Sequence, residues 1–228
     1  MPNHALAPPA FRAPLEWVKP PRQARTHATL EKLLDTAELM LATRAFDDIS
    51  ISELAAEAGS SVGAFYRRFK DKDGLLHALQ ERYASEALVT ADAALDPNRW
   101  EGTGIAEIVH ECLAFLTQAL TDRRGLDRAV FIRSLTDEAF REHSSRVSLH
   151  VMHGMADLLL ARRDEITHPN PDVAVDVGLR QALCFIGDTC TVNGRDLALT
   201  DLDNDQVSRE TAHSFLAYLG VRNPAATD

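Results

Sequence analysis

A chain of 228 residues, 45% hydrophobic and 25% charged, is long enough to bury one large core or two modest ones, which excludes disorder along its whole length. No stretch approaches the ~18 uninterrupted apolar residues of a membrane helix, and Met1 to Pro21 holds nothing like a signal-peptide core, so a cytoplasmic protein with no membrane partner is expected. The net charge of −10 opposes a nucleic-acid partner until it is mapped: residues 1–72 carry ten Lys/Arg against nine Asp/Glu, and the remainder fourteen against twenty-five. Within residues 60–72, Arg67, Arg68, Lys70 and Lys72 face only Asp71, a local positive segment on an acidic chain. Cys112, Cys184 and Cys190 form neither an even set nor a C-x-x-C pair, so reduced, mostly buried thiols are expected rather than disulfides or structural zinc.

Pro2, Pro8, Pro9, Pro14, Pro20 and Pro21 rule out regular helix over residues 1–21, which read as a flexible arm; Arg12, Lys19, Arg22 and Arg25 could add phosphate or minor-groove contacts, but a disordered tail is the preferred reading. From about Arg22, Leu30, Leu33, Leu34, Ala37 and Leu41 recur at spacings of three and four, predicting a first helix that ends near Arg44. Ser50 and Glu53 spell a capping box ahead of a two-turn helix bearing Ile51, Leu54, Ala55 and Ala58, and Gly59 stops it. Ser61 is placed to cap a second short helix that buries Phe65 and Phe69. After the polar break Lys70 to Gly74, with Asp71 as a cap, a long helix carrying Leu75, Leu76, Leu79 and Tyr83 runs to about Leu95.

Further helices are expected from Ile105 to Leu120, Leu126 to Leu135, Asp137 to Arg163, Asp172 to Asp196 and Asn204 to Leu219, with His168-Pro169-Asn170-Pro171 as the firmest interruption. No segment alternates with period two for long enough to demand a strand.

The sharpest signal is Glu53 to Phe69, ELAAEAGSSVGAFYRRF. Two short helices that cross closely need a small residue at their contact, a glycine at the turn and apolar residues pinning the second helix; Ala55, Gly59 and the pair Leu54 and Phe65 meet those needs. The outer side of the second helix then shows Ser61, Val62, Gly63, Tyr66 and Arg67. Small residues let a helix end enter the major groove, Arg67 can reach a guanine edge or phosphate, Tyr66 can donate to a phosphate, and Lys72 adds charge at the next helix start.

Residues 29–76 resemble the N-terminal domain of the TetR (tetracycline-repressor) family of transcriptional regulators. The resemblance rests on Phe46 and Ser50, then Leu54-Ala55-x-x-Ala58-Gly59-x-Ser61-x-Gly63-Ala64-Phe65-Tyr66-x-x-Phe69-x-x-Lys72-x-x-Leu75-Leu76. Two positions depart from the family pattern: Ala45 stands where glycine is common, and Ser60 where valine is. The resemblance implies an all-α fold, an N-terminal three-helix DNA-binding domain with its helix-turn-helix plus a larger C-terminal helical ligand-binding and dimerisation domain. Residues 22–71 would be the DNA-binding domain, 72–222 the effector-binding and dimerisation domain, and 223–228 a tail.

It also implies a homodimer on a palindromic double-stranded DNA operator, repressing until a small-molecule effector releases it. Val173, Val177, Phe185, Val207, Phe215 and Leu219 on the last two helices are candidates for the dimer interface, the alternative being that these helices bury their faces within one subunit. Candidate effector contacts are Phe115, Phe131, Arg133, His150, Met152, His153, Phe185 and Asp188, although core filler or solvated surface is the reading each one favours taken singly. No cofactor is expected. His143, His150 and His153 lack a cysteine or carboxylate pattern to complete a metal site, so none is assigned. An enzyme is disfavoured: no Gly-rich phosphate loop between a strand and a helix, no G-x-S-x-G elbow and no H-E-x-x-H is expected, and His110 and Cys112, two apart on a helix, point to different sides. A ligand-independent DNA-binding co-regulator with a filled core stays as the alternative to a sensor.

Overall fold

The computed structural model describes residues 24–191 and 198–221; the expected arm at 1–21 and tail at 223–228 lie outside the described residues. Among the described residues every regular element is helical: α1 Ala24–Leu41, α2 Ile51–Glu57, α3 Val62–Tyr66, α4 Lys72–Ala94, α5 Ile105–Asp122, α6 Arg124–Ser134, α7 Glu138–Leu160, α8 Pro171–Thr191 and α9 Asn204–Leu219. The all-α expectation holds. None of these helices is long and apolar enough to cross a membrane.

Ends differ from the sequence pattern by a few residues, for local reasons. The first helix stops at Leu41, and the Thr43 and Arg44 amides turn back onto the Met40 carbonyl. The interruption expected through Gly125 is confined to Arg123, so Gly125 lies inside α6. The expected extension of α8 to Asp196 falls partly outside the described residues.

The chain forms two compact units, residues up to Thr90 with Ala129–Val147, and Ala91–Arg128 with residues from Ser148 onward. The division falls inside α4, α6 and α7. In the first unit, Leu30, Leu33, Leu34, Ala37 and Leu41 of α1 are buried, as their spacing predicts. Arg82 of α4 ties α1 down from the polar side, meeting Glu31 at 3.3 Å, Asp35 at 2.7 Å and Glu38 at 3.1 Å. Deeper in α4, Gln80 donates to the Phe140 carbonyl at 3.2 Å and to Ser144 Oγ at 2.9 Å, and Glu81 pairs with His143. His77 stacks on Phe140 with ring centroids 3.6 Å apart, and burial lowers its pKa. This seam holds the first turns of α7 in the same unit as the N-terminal helices.

The second unit is built on α5, α8 and α9, which pack on one another. Ile105, Ile108 and Val109 of α5, Val175, Leu179 and Ile186 of α8, and Val207, Phe215 and Leu219 of α9 share one core. Gly178 makes the α8–α9 approach possible, since a Cβ there would fall 2.1 Å from Phe215 Cε2. Val207, Phe215 and Leu219 are therefore consumed inside the subunit, a correction to their candidacy for the dimer interface; Val173 and Phe185 on α8 remain exposed. At the other end of α9, Gly220 at φ 69° closes a Schellman turn through Val221 N to Leu216 O at 3.0 Å. Gly104 cannot cap α5 with a side chain, and Glu165 Oε2 accepts from the Ile105 amide at 2.9 Å instead.

Of the thiols, Cys190 is buried, Cys112 is half-buried with its pKa pushed up to about 11 by burial, and Cys184 is exposed. In α6, burial pushes the Asp127 carboxyl up to about 7 against the pull of Arg123, and its Oδ2 is shielded from solvent without a hydrogen-bond partner.

An unfolded aspartate titrates near ~3.9, so the folded chain holds a proton on Asp127 that the unfolded chain releases between about pH 4 and 7. The stabilisation from that proton is complete below about pH 4 and is lost as pH rises through about 7. Asp127→Asn cannot ionise, and urea unfolding is expected to show the variant gaining stability over wild type as pH rises from about 5 to about 8. Parallel pH profiles for the two chains would contradict the assignment.

Candidate nucleic-acid interface

The helix-turn-helix is assembled from local bonds that its sequence spells out. Ser50 Oγ accepts from the Glu53 amide at 3.1 Å and Glu53 Oε2 from the Ser50 amide at 3.0 Å, the reciprocal capping box that starts α2. Gly59 at φ 59° ends it with a Schellman pair, Ser60 N to Ala55 O at 2.8 Å and Gly59 N to Ala56 O at 3.0 Å. No Cβ contact demands glycine at this turn; the positive φ does. Ser61 then caps α3 by accepting from the Ala64 amide at 3.1 Å. At Ala45 the backbone is extended, φ −68° and ψ 146°, a conformation open to any residue, so the departure from the family's glycine costs nothing here.

Phe65 and Phe69 are fully buried with ring centroids 5.0 Å apart, and Leu54 and Ala55 of α2 are buried with them. Those anchors turn Ser61, Val62, Gly63, Tyr66 and Arg67 to the surface, with Tyr66 half exposed. The structure thus brings five of the six expected DNA-facing residues onto one short stretch. Lys72 is half-buried: its ammonium donates to the Asp47 carbonyl at 3.2 Å and sits 4.6 Å over the Phe46 ring, and desolvation lowers its pKa. Arg68, counted with the positive segment, is 8% exposed, which leaves Arg67 and Lys70 as its solvent-facing cations alongside the half-buried Lys72.

Gly63 is informative because the fold does not require it. Its backbone is not in the left-handed region, and a Cβ would make only ordinary contacts of 3.9 Å, to Arg67 Nη1 and Ser61 Oγ. A glycine in a helix costs roughly 0.5–1 kcal/mol relative to alanine, so an exposed one with room around it fits close approach by a partner better than internal packing. The run Gly59-Ser60-Ser61-Val62-Gly63 also spells G-x-S-x-G, the string of a hydrolase nucleophile elbow. That elbow needs a strand-to-helix turn; here the run joins two helices and the Ser61 hydroxyl is committed to capping.

The expected effector contacts do not form a comparable group. Phe131 and Arg133 belong to the first unit; Phe115, His150, Met152, His153, Phe185 and Asp188 belong to the second. Met152 packs against the apolar core, His150 pairs with Asp92 at 2.7 Å, and Phe115, His153, Phe185 and Asp188 are exposed. Arg133 is bound to Asp47 and Asp73. Sequence reasoning missed that pair of bonds and also His110 and His213, whose rings meet edge-on at 5.6 Å with each Nε2 buried and without a hydrogen-bond partner. Nothing in the local sequence signals either, because the partners lie 60 to 103 residues apart. Among the described residues no three His, Cys, Asp or Glu side chains cluster as metal ligands would.

Two capped short helices, a glycine turn, an exposed small-residue helix start and adjoining cations define a helix-turn-helix. Residues 33–79 match the family described as bacterial regulatory proteins, tetR family. The match runs from within α1 through α2 and α3 into α4, so this part of the chain is similar to that family's members. Over 68 residues it is 35% identical to YwcC of Bacillus subtilis (strain 168), an HTH-type transcriptional regulator itself described as uncharacterized. That match covers 29% of this chain and spans about 30% of the relative's length.

The fold extends much further than the sequence match. A candidate TetR-family transcriptional regulator from Mesorhizobium loti MAFF303099 superposes with a TM-score of 0.66 at 15% identity, covering 87% of this chain and 98% of its own. SmeT, the repressor of the Stenotrophomonas maltophilia multidrug efflux pump SmeDEF, does so at 0.60 and 19%, covering 84% and 90%.

Gly63→Ala separates folding from recognition. The variant is expected to melt at a higher temperature, gaining roughly 0.5–1 kcal/mol of stability, while losing DNA affinity by about tenfold in a titration. Unchanged affinity would place the start of α3 outside the groove.

Proposed function

We propose that the chain is a DNA-binding transcriptional repressor that acts as a homodimer on a palindromic operator and leaves it when a small-molecule effector binds. The observation that carries this reading is the division of α3 between buried Phe65 and the exposed run Ser61, Val62, Gly63, Tyr66 and Arg67, on a head similar to those of the tetR family. In it, residues 22–71 read DNA, Arg67 meets a base edge or phosphate, Tyr66 and Lys72 meet phosphates, and the small residues admit the helix end to the major groove. Two such heads would address half-sites separated by about one or two helical turns of ~34–36 Å.

Residues 72–222 serve effector binding and dimerisation in this reading. Val173 and Phe185, each 48% exposed on α8, supply apolar surface suited to a second copy of the chain. The effector is met by residues among Phe115, Phe131, His150, Met152, His153, Phe185 and Asp188; Arg133, engaged by two carboxylates, is withdrawn from that set. Release requires an effector with different affinities for the two conformations, and a coupling of about 1–3 kcal/mol suffices. Repression is the mode stated for SmeT, which shares the fold. The protein works without catalysis, in the cytoplasm where its operator lies.

Selection of genomic DNA by the purified chain is expected to return a recurrent inverted repeat. On that duplex, Arg67→Ala should weaken binding about tenfold and reduce the slope of log affinity against log salt by about 1 per subunit. Full affinity with an unchanged slope would put the DNA face elsewhere.

A further inference from the structure

The end of the head that adjoins α4 carries more acid than the helix-turn-helix motif suggests. Asp47 and Asp48 close the 3-10 turn Phe46–Asp48 ahead of α2, Asp71 accepts from the Gly74 amide at 2.8 Å to start α4, and Asp73 lies in that helix's first turn. All four are exposed; Asp47, Asp48 and Asp73 act on the Lys72 ammonium, and Asp71 is its neighbour in the chain. Uncompensated, such carboxylates would repel a phosphate backbone that Lys72 is to meet.

One side chain from much later in the sequence engages two of them. Arg133, the next-to-last residue of α6, donates from Nη2 to Asp47 Oδ1 at 2.5 Å and from Nε to Asp73 Oδ1 at 3.0 Å. Its guanidinium lies 5.5 Å over the Phe46 ring, the ring that also carries the Lys72 ammonium. The bond from Arg133 is the leading cause that holds the Asp47 carboxyl below its ordinary pKa. A rigid fork spread over two elements, rather than closed on one carboxylate, compensates both acids at once.

We propose that Arg133 is a charge-compensating residue for DNA binding: from α6 it neutralises Asp47 and Asp73, so that the Lys72 end of the head is attractive to phosphates only while the last turn of α6 stays seated on it. The proposal rests on the DNA-binding reading above and adds to it a determinant outside the helix-turn-helix. It makes the affinity of the head conditional on a helix that itself touches no DNA. Any event that lifts the end of α6 uncovers two carboxylates beside Lys72.

The test uses the full chain, its selected duplex and a series of salt concentrations. Exposed ion pairs are individually weak, so Arg133→Met is expected to lower affinity about threefold per head and about tenfold for a dimer on two half-sites. Adding Asp47→Asn and Asp73→Asn to that variant is expected to restore affinity to within about twofold of wild type, because the uncompensated charges are then gone. A merely structural tie gives no such rescue, since the triple variant lacks it as well. In the wild-type background, where Arg133 is kept, Asp47→Asn with Asp73→Asn should tighten binding by about threefold, most clearly at low salt. That arm does not depend on Arg133→Met folding. Wild-type affinity in Arg133→Met, a folded triple variant as weak as Arg133→Met, or weaker binding by the double asparagine variant would overturn the proposal while leaving the DNA-binding reading intact. A wild-type chain that selects no duplex overturns both.

Discussion

A five-residue helix cannot hold itself together in water, because nucleation costs more than so few hydrogen bonds return. The existence of α3, and with it the whole recognition surface, depends on the burial of Phe65 and Phe69. Those rings fix which side of the helix is inside, and the capped ends set where it starts: the Schellman turn at Gly59 delivers the chain to Ser61, whose hydroxyl takes up the Ala64 amide. Val62, Gly63, Tyr66 and Arg67 are presented by that arrangement, while Ser61 both caps α3 and stands at its exposed start.

The compact unit that contains the head is larger than the helix-turn-helix. Residues 129–147 belong to it, held through Phe140 against His77, Gln80 against Phe140 and Ser144, and Arg133 against Asp47 and Asp73. In the second unit a different device sets the geometry: Gly178 removes a Cβ from the α8–α9 contact, and Phe215 fills the space. Acidity that counts against DNA binding when summed over the chain turns out to be distributed, with two of the carboxylates nearest Lys72 compensated by an arginine from α6.

Legibility followed the range of the interactions. The capping box at Ser50 and Glu53, the Gly59 turn, the Ser61 cap and the buried Phe65 and Phe69 are all set by residues within about five positions of each other, and the sequence pattern placed each correctly. Helix periodicity likewise found the buried face of α1. What failed to show were long-range decisions. Val207, Phe215 and Leu219 carry the same spacing whether they face their own subunit or a second one, and only packing assigns them to the subunit's core. Arg133 read as a candidate effector contact, because the carboxylates it engages lie 60 and 86 residues away in the sequence. The basic run at 67–72 looked uniform until burial withdrew Arg68 from the surface.

The most direct test of the central claim is hydrogen–deuterium exchange of the full chain with and without its selected duplex. The account predicts that the strongest protection on adding DNA falls on residues 61–72, from the start of α3 to the start of α4, at salt low enough to keep the complex intact. Strongest protection on α5, α8 or α9, with residues 61–72 exchanging as in the free protein, would contradict it.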